Sequence, residues 1–177
     1  MTGFSKGIRE VEVALKWDPS PAGRPPSDLD IVAATFTADD AYGEPAYLVH
    51  FDSRSPDGTI FLDRDSPDGK GFGWDEVMNL ELQRLDGRYA RVVVGVVIRQ
   101  NDTRATFASV LNPAVRVSEG YTTLSEADFS TAADATAAVV AEFARDASGE
   151  WTFHAGIHGF DEDPAAFTRV MGTRRRT

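Results

Sequence analysis

At 177 residues, with 42% apolar and 26% charged side chains, the chain can bury one sizeable core as a single domain, and its composition excludes wholesale disorder. The net charge of −10 opposes binding to nucleic acid or an anionic membrane and favours cationic partners. With no cysteine and three histidines, a disulfide framework is excluded and little is left for a zinc site of the usual kind.

Residues 9–17 (REVEVALKW) place Val11, Val13, Leu15 and Trp17 on one side and Glu10, Glu12 and Lys16 on the other, which predicts a strand with one buried face. Residues 18–27 hold four prolines and a glycine, too stiff and donor-poor for a strand, and read as a connecting loop. The next strand, 28–36, opens with Asp28 and Asp30, whose alternation puts both carboxylates on one side. After a turn at 38–44, residues 46–52 form a third strand that ends on Asp52. Residues 59–63 should complete a hairpin with it across Ser55-Pro56-Asp57-Gly58.

Residues 50–76 carry seven acids, Asp52, Asp57, Asp63, Asp65, Asp68, Asp75 and Glu76, against three cationic side chains. The Ser-Pro-Asp-Gly of 55–58 recurs at 66–69, and each copy has the chemistry of a tight turn: Pro presets φ, Asp bonds its own backbone and Gly accepts positive φ. Carboxylates gathered by such turns repel unless arginines or a hard cation lie among them. Calcium, which mixes carboxylates with backbone carbonyls, suits a Gly-rich acidic loop. The same residues also make up ordinary solvated loops. The EF-hand pattern fails, because a loop starting at Asp63 puts Trp74 where the bidentate Glu belongs.

Residues 76–82 alternate as a strand, and 89–98 (YARVVVGVVI) is apolar on both faces and should be the most buried strand. A polar loop at 99–104, a helical turn at 107–110 and a strand at 114–117 follow, with Tyr121 and Leu124 as core candidates beyond. Alanines favour helix over 131–145, although Val139, Val140 and Phe143 equally suit a strand. Trp151, Phe153, Ala155 and Ile157 mark the last strand, and 161–177 reads as a mobile C-terminal tail ending in three arginines. Eight or more short strands without a βαβ rhythm predict an all-β antiparallel β-sandwich of two sheets, spanning 1–160, with long acidic loops at one end. No long apolar run or signal-like N-terminal stretch is present, so a cytoplasmic location without direct membrane insertion is expected.

Several separated motifs in order resemble the TerD-type tellurium-resistance and stress-response family. They are Lys16-Trp17-Asp18, Asp28-Leu29-Asp30, Ser55-Pro56-Asp57-Gly58, Asp65-Ser66, the Gly69, Gly71 and Gly73 spacing, Asp75-Glu76, and Gly149-Glu150-Trp151 with Phe153 and Gly159. The resemblance runs from Val11 to Phe160 and implies a β-sandwich with calcium sites at one end, no established enzymatic activity, and a strand over 136–145. It implies calcium ligands at Asp28, Asp30, Asp52, Asp65, Asp75 and Glu76, with carbonyls from the Gly69 and Gly71 run. The chain departs from the family at Pro26, Ser66, Phe72 and Trp74, where acids or an amide are usual, so one ion is expected where the family has two. Phe72 and Trp74 would either contact a partner or fill space left by a lost ion.

The function so implied is a calcium-binding, non-enzymatic interaction module with protein partners in tellurium resistance or stress response. Two alternatives stand beside it: a degenerate scaffold without the ion, and a metal-dependent hydrolase, for which no HExxH or cysteine nucleophile is present.

Overall fold

The computed structural model describes residues 4–70 and 73–173. Eleven strands are described: β1 (Phe4–Ile8), β2 (Glu10–Asp18), β3 (Leu29–Thr37), β4 (Tyr47–Val49), β5 (Ile60–Arg64), β6 (Glu76–Glu81), β7 (Tyr89–Ile98), β8 (Leu111–Glu119), β9 (Thr122–Asp128), β10 (Ala137–Arg145) and β11 (Trp151–Phe160). They form a six-stranded sheet in the order β1-β11-β10-β7-β3-β4 and a five-stranded sheet in the order β5-β6-β2-β8-β9. All pairings are antiparallel, and the two inner faces enclose the main core, as the sandwich reading expects.

Local chemistry accounts for most of these elements. In β2 the apolar side, Val11, Val13, Leu15 and Trp17, is buried between the sheets, with Trp17 only 2% exposed. Residues 137–145 are strand despite their alanines, because Ala137, Ala138 and Ala141 are fully enclosed between β7 and β11, where small side chains let neighbouring layers close. The helical turn falls at Phe107–Ser109, and Phe107 stacks on Phe129 at 4.3 Å between ring centres.

Strand β7 is buried on both faces, and the reason is an element that periodicity did not suggest. Helix α1 (Pro164–Val170) packs Phe167, followed by Met171, against the outer face of the six-stranded sheet. Val92, Val94 and Val96 therefore face the inter-sheet core, while Val93 and Val97 meet the helix, together with Val32, Ala34 and Phe36 of β3. Gly95 leaves room for the ring: a Cβ there would lie 2.6 Å from Phe167. Behind the helix, the buried Arg91 binds Glu142 at 2.7 Å and donates to the carbonyls of Ala41 and Gly172, which fastens the chain after α1 to the sheet. The mobile tail is thus corrected over 164–172, and its arginines at 174–176 lie outside the described residues.

Two further expectations are overturned. Residues 46–52 and 59–63 do not pair, because β4 joins β3 in one sheet and β5 joins β6 in the other, so the intervening segment crosses between sheets. Tyr121 is fully exposed at the β8–β9 turn, set off by Gly120 at φ +58°, while Leu124 packs against the core as expected. Among the described residues no helix is long and apolar enough to cross a membrane.

Replacing Phe167 with Ala should lower stability by about 3–5 kcal/mol in a urea melt, as for other buried aromatics. A loss under about 1 kcal/mol would show that α1 is a loose appendage.

Candidate metal centre

The start of β6 faces the start of β3 across the sandwich. Alternation along β6 turns Glu76, Met78 and Leu80 inward, and the Glu76 carboxylate is wholly buried between the sheets. Its Oε1 accepts the backbone N–H of Ile31 at 3.2 Å. That N–H is available because β4 pairs with β3 only from Ala33 to Thr35, leaving the opening residues of β3 without a neighbour on that side. Among the described residues no donor reaches Oε2 of Glu76.

Asp30 of β3 and Asp65, just past β5, complete a group. One carboxylate oxygen from each of Asp30, Asp65 and Glu76 lies within 4.8 Å of the others. Glu76 is buried, Asp30 half-buried and Asp65 exposed, so the group runs from the core to the surface. Burial pushes the Glu76 carboxyl up to about 10, with the Asp30, Asp65 and Asp28 charges adding to it. Burial likewise pushes Asp30 up to about 7, helped by Asp28 and Asp65. Asp28 stands beside the group, raised by burial and relieved by Arg99, whose Nη1 is 3.5 Å from its Oδ2.

The other expected ligands have different places. Asp52 is exposed in a turn closed by paired His50–Ser53 backbone bonds, and its N–H donates to Nδ1 of His50, so the chain folds back before Asp52 can reach the group. Asp75 is buried, yet strand alternation turns it away from Glu76. Its Oδ2 accepts the N–H of Trp17 at 2.9 Å and its Oδ1 has no donor among the described residues. Gly69 is a packing glycine: at φ +77°, with Trp17 Nε1 2.6 Å from where a Cβ would stand, no other residue fits. Gly71 and Phe72 lie outside the described residues. Trp74 does not fill the acidic group. Its ring lies between Lys16 Nζ at 4.7 Å and the Arg116 guanidinium at 4.6 Å, on side chains that point away from the core. Ser66, standing where the family has an amide, caps its own turn by accepting the Gly69 N–H at 3.1 Å.

Three carboxylates, one with a buried oxygen that takes no donor among the described residues, make an oxygen-only group that could hold a metal ion, and their donor chemistry fits a hard cation. The TerD domain model matches residues 1–169. The chain belongs to the TerD family. Solved structures agree with it closely. A protein of unknown function, SAV2460, is 72% identical with a TM-score of 0.94, and a homologue of the telluride resistance protein TerD from Streptomyces coelicolor A3(2) is 51% identical with a TM-score of 0.93. Each match covers 96% of this TerD chain and 100% of the other. No curated protein matches the chain.

The raised carboxyls set the sign of a pH effect. Unfolded, both titrate near about 4, so between there and the folded values the native state holds more protons and stability falls as pH rises. Above about pH 7 the His50 imidazole, lowered by burial, is neutral in both states and Glu76 carries the slope. In metal-stripped buffer the melting midpoint should drop from about pH 7 to about pH 9, and Glu76→Gln should flatten the drop. A midpoint that rises in the wild type over this range would contradict the burial of a protonated Glu76.

Proposed function

We propose that this TerD chain is a cytoplasmic, calcium-binding and non-enzymatic interaction module, serving tellurium resistance or a stress response through protein partners. The observation that carries the metal part is the unpartnered Oε2 of the buried Glu76 beside Asp30 and Asp65. An acid left half-satisfied inside a core is costly, and a divalent ion offsets the repulsion of all three carboxylates at once.

Calcium suits the site better than the alternatives. The donors are all oxygens, which disfavours zinc, and the site combines a fixed carboxylate in the core with one on a surface turn, which disfavours the strict octahedron of magnesium. Asp30, Asp65 and Glu76 would hold the ion, with Asp28 adding its field. Since Asp65 is exposed and Glu76 buried, an ion held by both would tie a surface loop to the core and order the face that a partner meets. The module reading rests on this coupling and on kinship with a homologue of a telluride resistance protein. The ion would supply charge neutralisation and loop order.

An ion that binds only the folded state stabilises it by RT ln(1 + [L]/Kd), about 2.7 kcal/mol at a hundredfold excess. For a chain of this size the melting midpoint should rise by about 5–10 °C with calcium and less with magnesium, at matched ionic strength. Asp65→Ala should remove most of the rise. Identical midpoints with and without calcium would sink the metal reading, and full stabilisation of the Asp65→Ala variant would move the ion elsewhere.

A further inference from the structure

Beside the acidic group, two stiff loops face each other across a groove of about 860 Å³. The first follows β2 and holds four of the chain's nine prolines, with Gly23 at φ +85° and the Arg24 N–H donating to the Pro21 carbonyl at 3.1 Å. Its neck is closed by the Ser20 and Ser27 hydroxyls, 3.3 Å apart, and by Trp17 Nε1 donating to the Ser27 carbonyl at 2.9 Å. The second loop follows β7 and is braced from within by Gln100, whose amide donates to the carbonyls of Ile98 and Ala105 and accepts the N–H of Ala105 at 2.9 Å. The Arg99 N–H, bound to the Asp28 carbonyl at 2.9 Å, joins the loops.

The charge of this groove runs against that of the protein. Arg24, Arg99 and Arg104 line it against the single carboxylate of Asp102, in a chain whose net charge is −10. Arg104 is held by Asp161 at 2.7 Å and fixes the far wall. Arg99 is 72% exposed and only loosely paired with Asp28, at 3.5 Å. The Arg24 side chain makes no bond to any described residue. Two cations are thus available on pre-ordered backbone, which is what oxyanion recognition requires, because little conformational freedom is lost on binding. The lining also carries apolar side chains, Pro21, Pro25, Pro26 and Leu111, the last 44% exposed.

We propose that this groove binds a small phosphate monoester carrying an apolar or aromatic group, the phosphate taken by Arg24 and Arg99 and the apolar group by Leu111 and the proline loop. The overall charge opposes a polyanionic polymer, and the groove's size fits a small molecule. This site is independent of the metal reading, since none of Asp30, Asp65 and Glu76 lines it.

The test is titration of the full chain with phenyl phosphate and with inorganic phosphate in metal-stripped buffer, followed by amide chemical shifts. Removing metal prevents phosphate from binding through an ion at the acidic group. Saturable shifts confined to residues 19–28, 98–105 and 109–111, with phenyl phosphate at least threefold tighter than inorganic phosphate, are expected. Arg24→Ala and Arg99→Ala should each weaken phenyl phosphate about tenfold, and Arg169→Ala, an exposed arginine on α1, should not. Leu111→Ala should abolish the preference for the phenyl ester. The proposal is overturned by shifts that do not saturate, by shifts that map elsewhere, by equal affinity for the two phosphates, or by an unchanged affinity in both groove variants. A calcium titration of the same sample reads the acidic group separately, so failure of one site leaves the other standing.

Discussion

The acidic end of this molecule depends on one buried carboxylate. Glu76 sits between the two sheets because the alternation of β6 leaves it no other face, and its Oε1 takes the N–H of Ile31 from the opposite sheet. That donor exists only because β4 is three residues long and stops short of the opening of β3. The bond therefore joins the two sheets at the point where the edge strand fails to cover its neighbour. It satisfies half of the carboxylate, whose group also lies against Asp30 and Asp65. A charge in that position is tolerable only if a proton or a cation compensates it, since the idealised cost of burying a bare ion far exceeds the stability of a domain.

Much of the fold was legible in the sequence because a strand with one buried face writes its own pattern. Val11, Val13, Leu15 and Trp17 show it, as do Trp151 and Phe153. What the pattern conceals is which strand pairs with which. Ser55-Pro56-Asp57-Gly58 is a turn, yet the strands on either side of it belong to different sheets, because turn chemistry sets a local reversal and not a partner. Helix α1 escaped notice for another reason: at seven residues it is too short for periodicity. Its start was nevertheless written in Asp163-Pro164, where the Asp163 carboxylate accepts the Ala166 N–H at 2.7 Å and Pro164 occupies the first turn. The two-faced apolar run of β7 was the complementary signal, since an outer face of valines needs a cover.

The candidate site was legible in part, and the repeated tetrapeptide shows why. In the first copy Asp57 turns back to accept the N–H and hydroxyl of Thr59, and nearby Asp52 stays in solvent. In the second, Ser66 caps Gly69, Gly69 packs against Trp17, and Asp65 is left facing the start of β3. Identical local chemistry thus has two outcomes, and the difference lies in what each turn packs against. Asp28 and Asp30 were found by alternation in a strand. The same rule separates Asp75 from Glu76, because neighbours on an extended chain point to opposite sides.

Trp17 connects these pieces. Its backbone N–H binds Asp75, its indole N–H binds the Ser27 carbonyl, and its ring closes the space above Gly69. One buried residue therefore fixes the start of β6, the neck of the proline loop and the second acidic turn. These contacts come from packing and hydrogen bonds, so the core itself holds the backbone around the acidic group. Packing brings the carboxylates together, and their mutual repulsion is the part of the energy that packing cannot remove. Under the proposed calcium reading, the ion would change stability and surface order more than the fold.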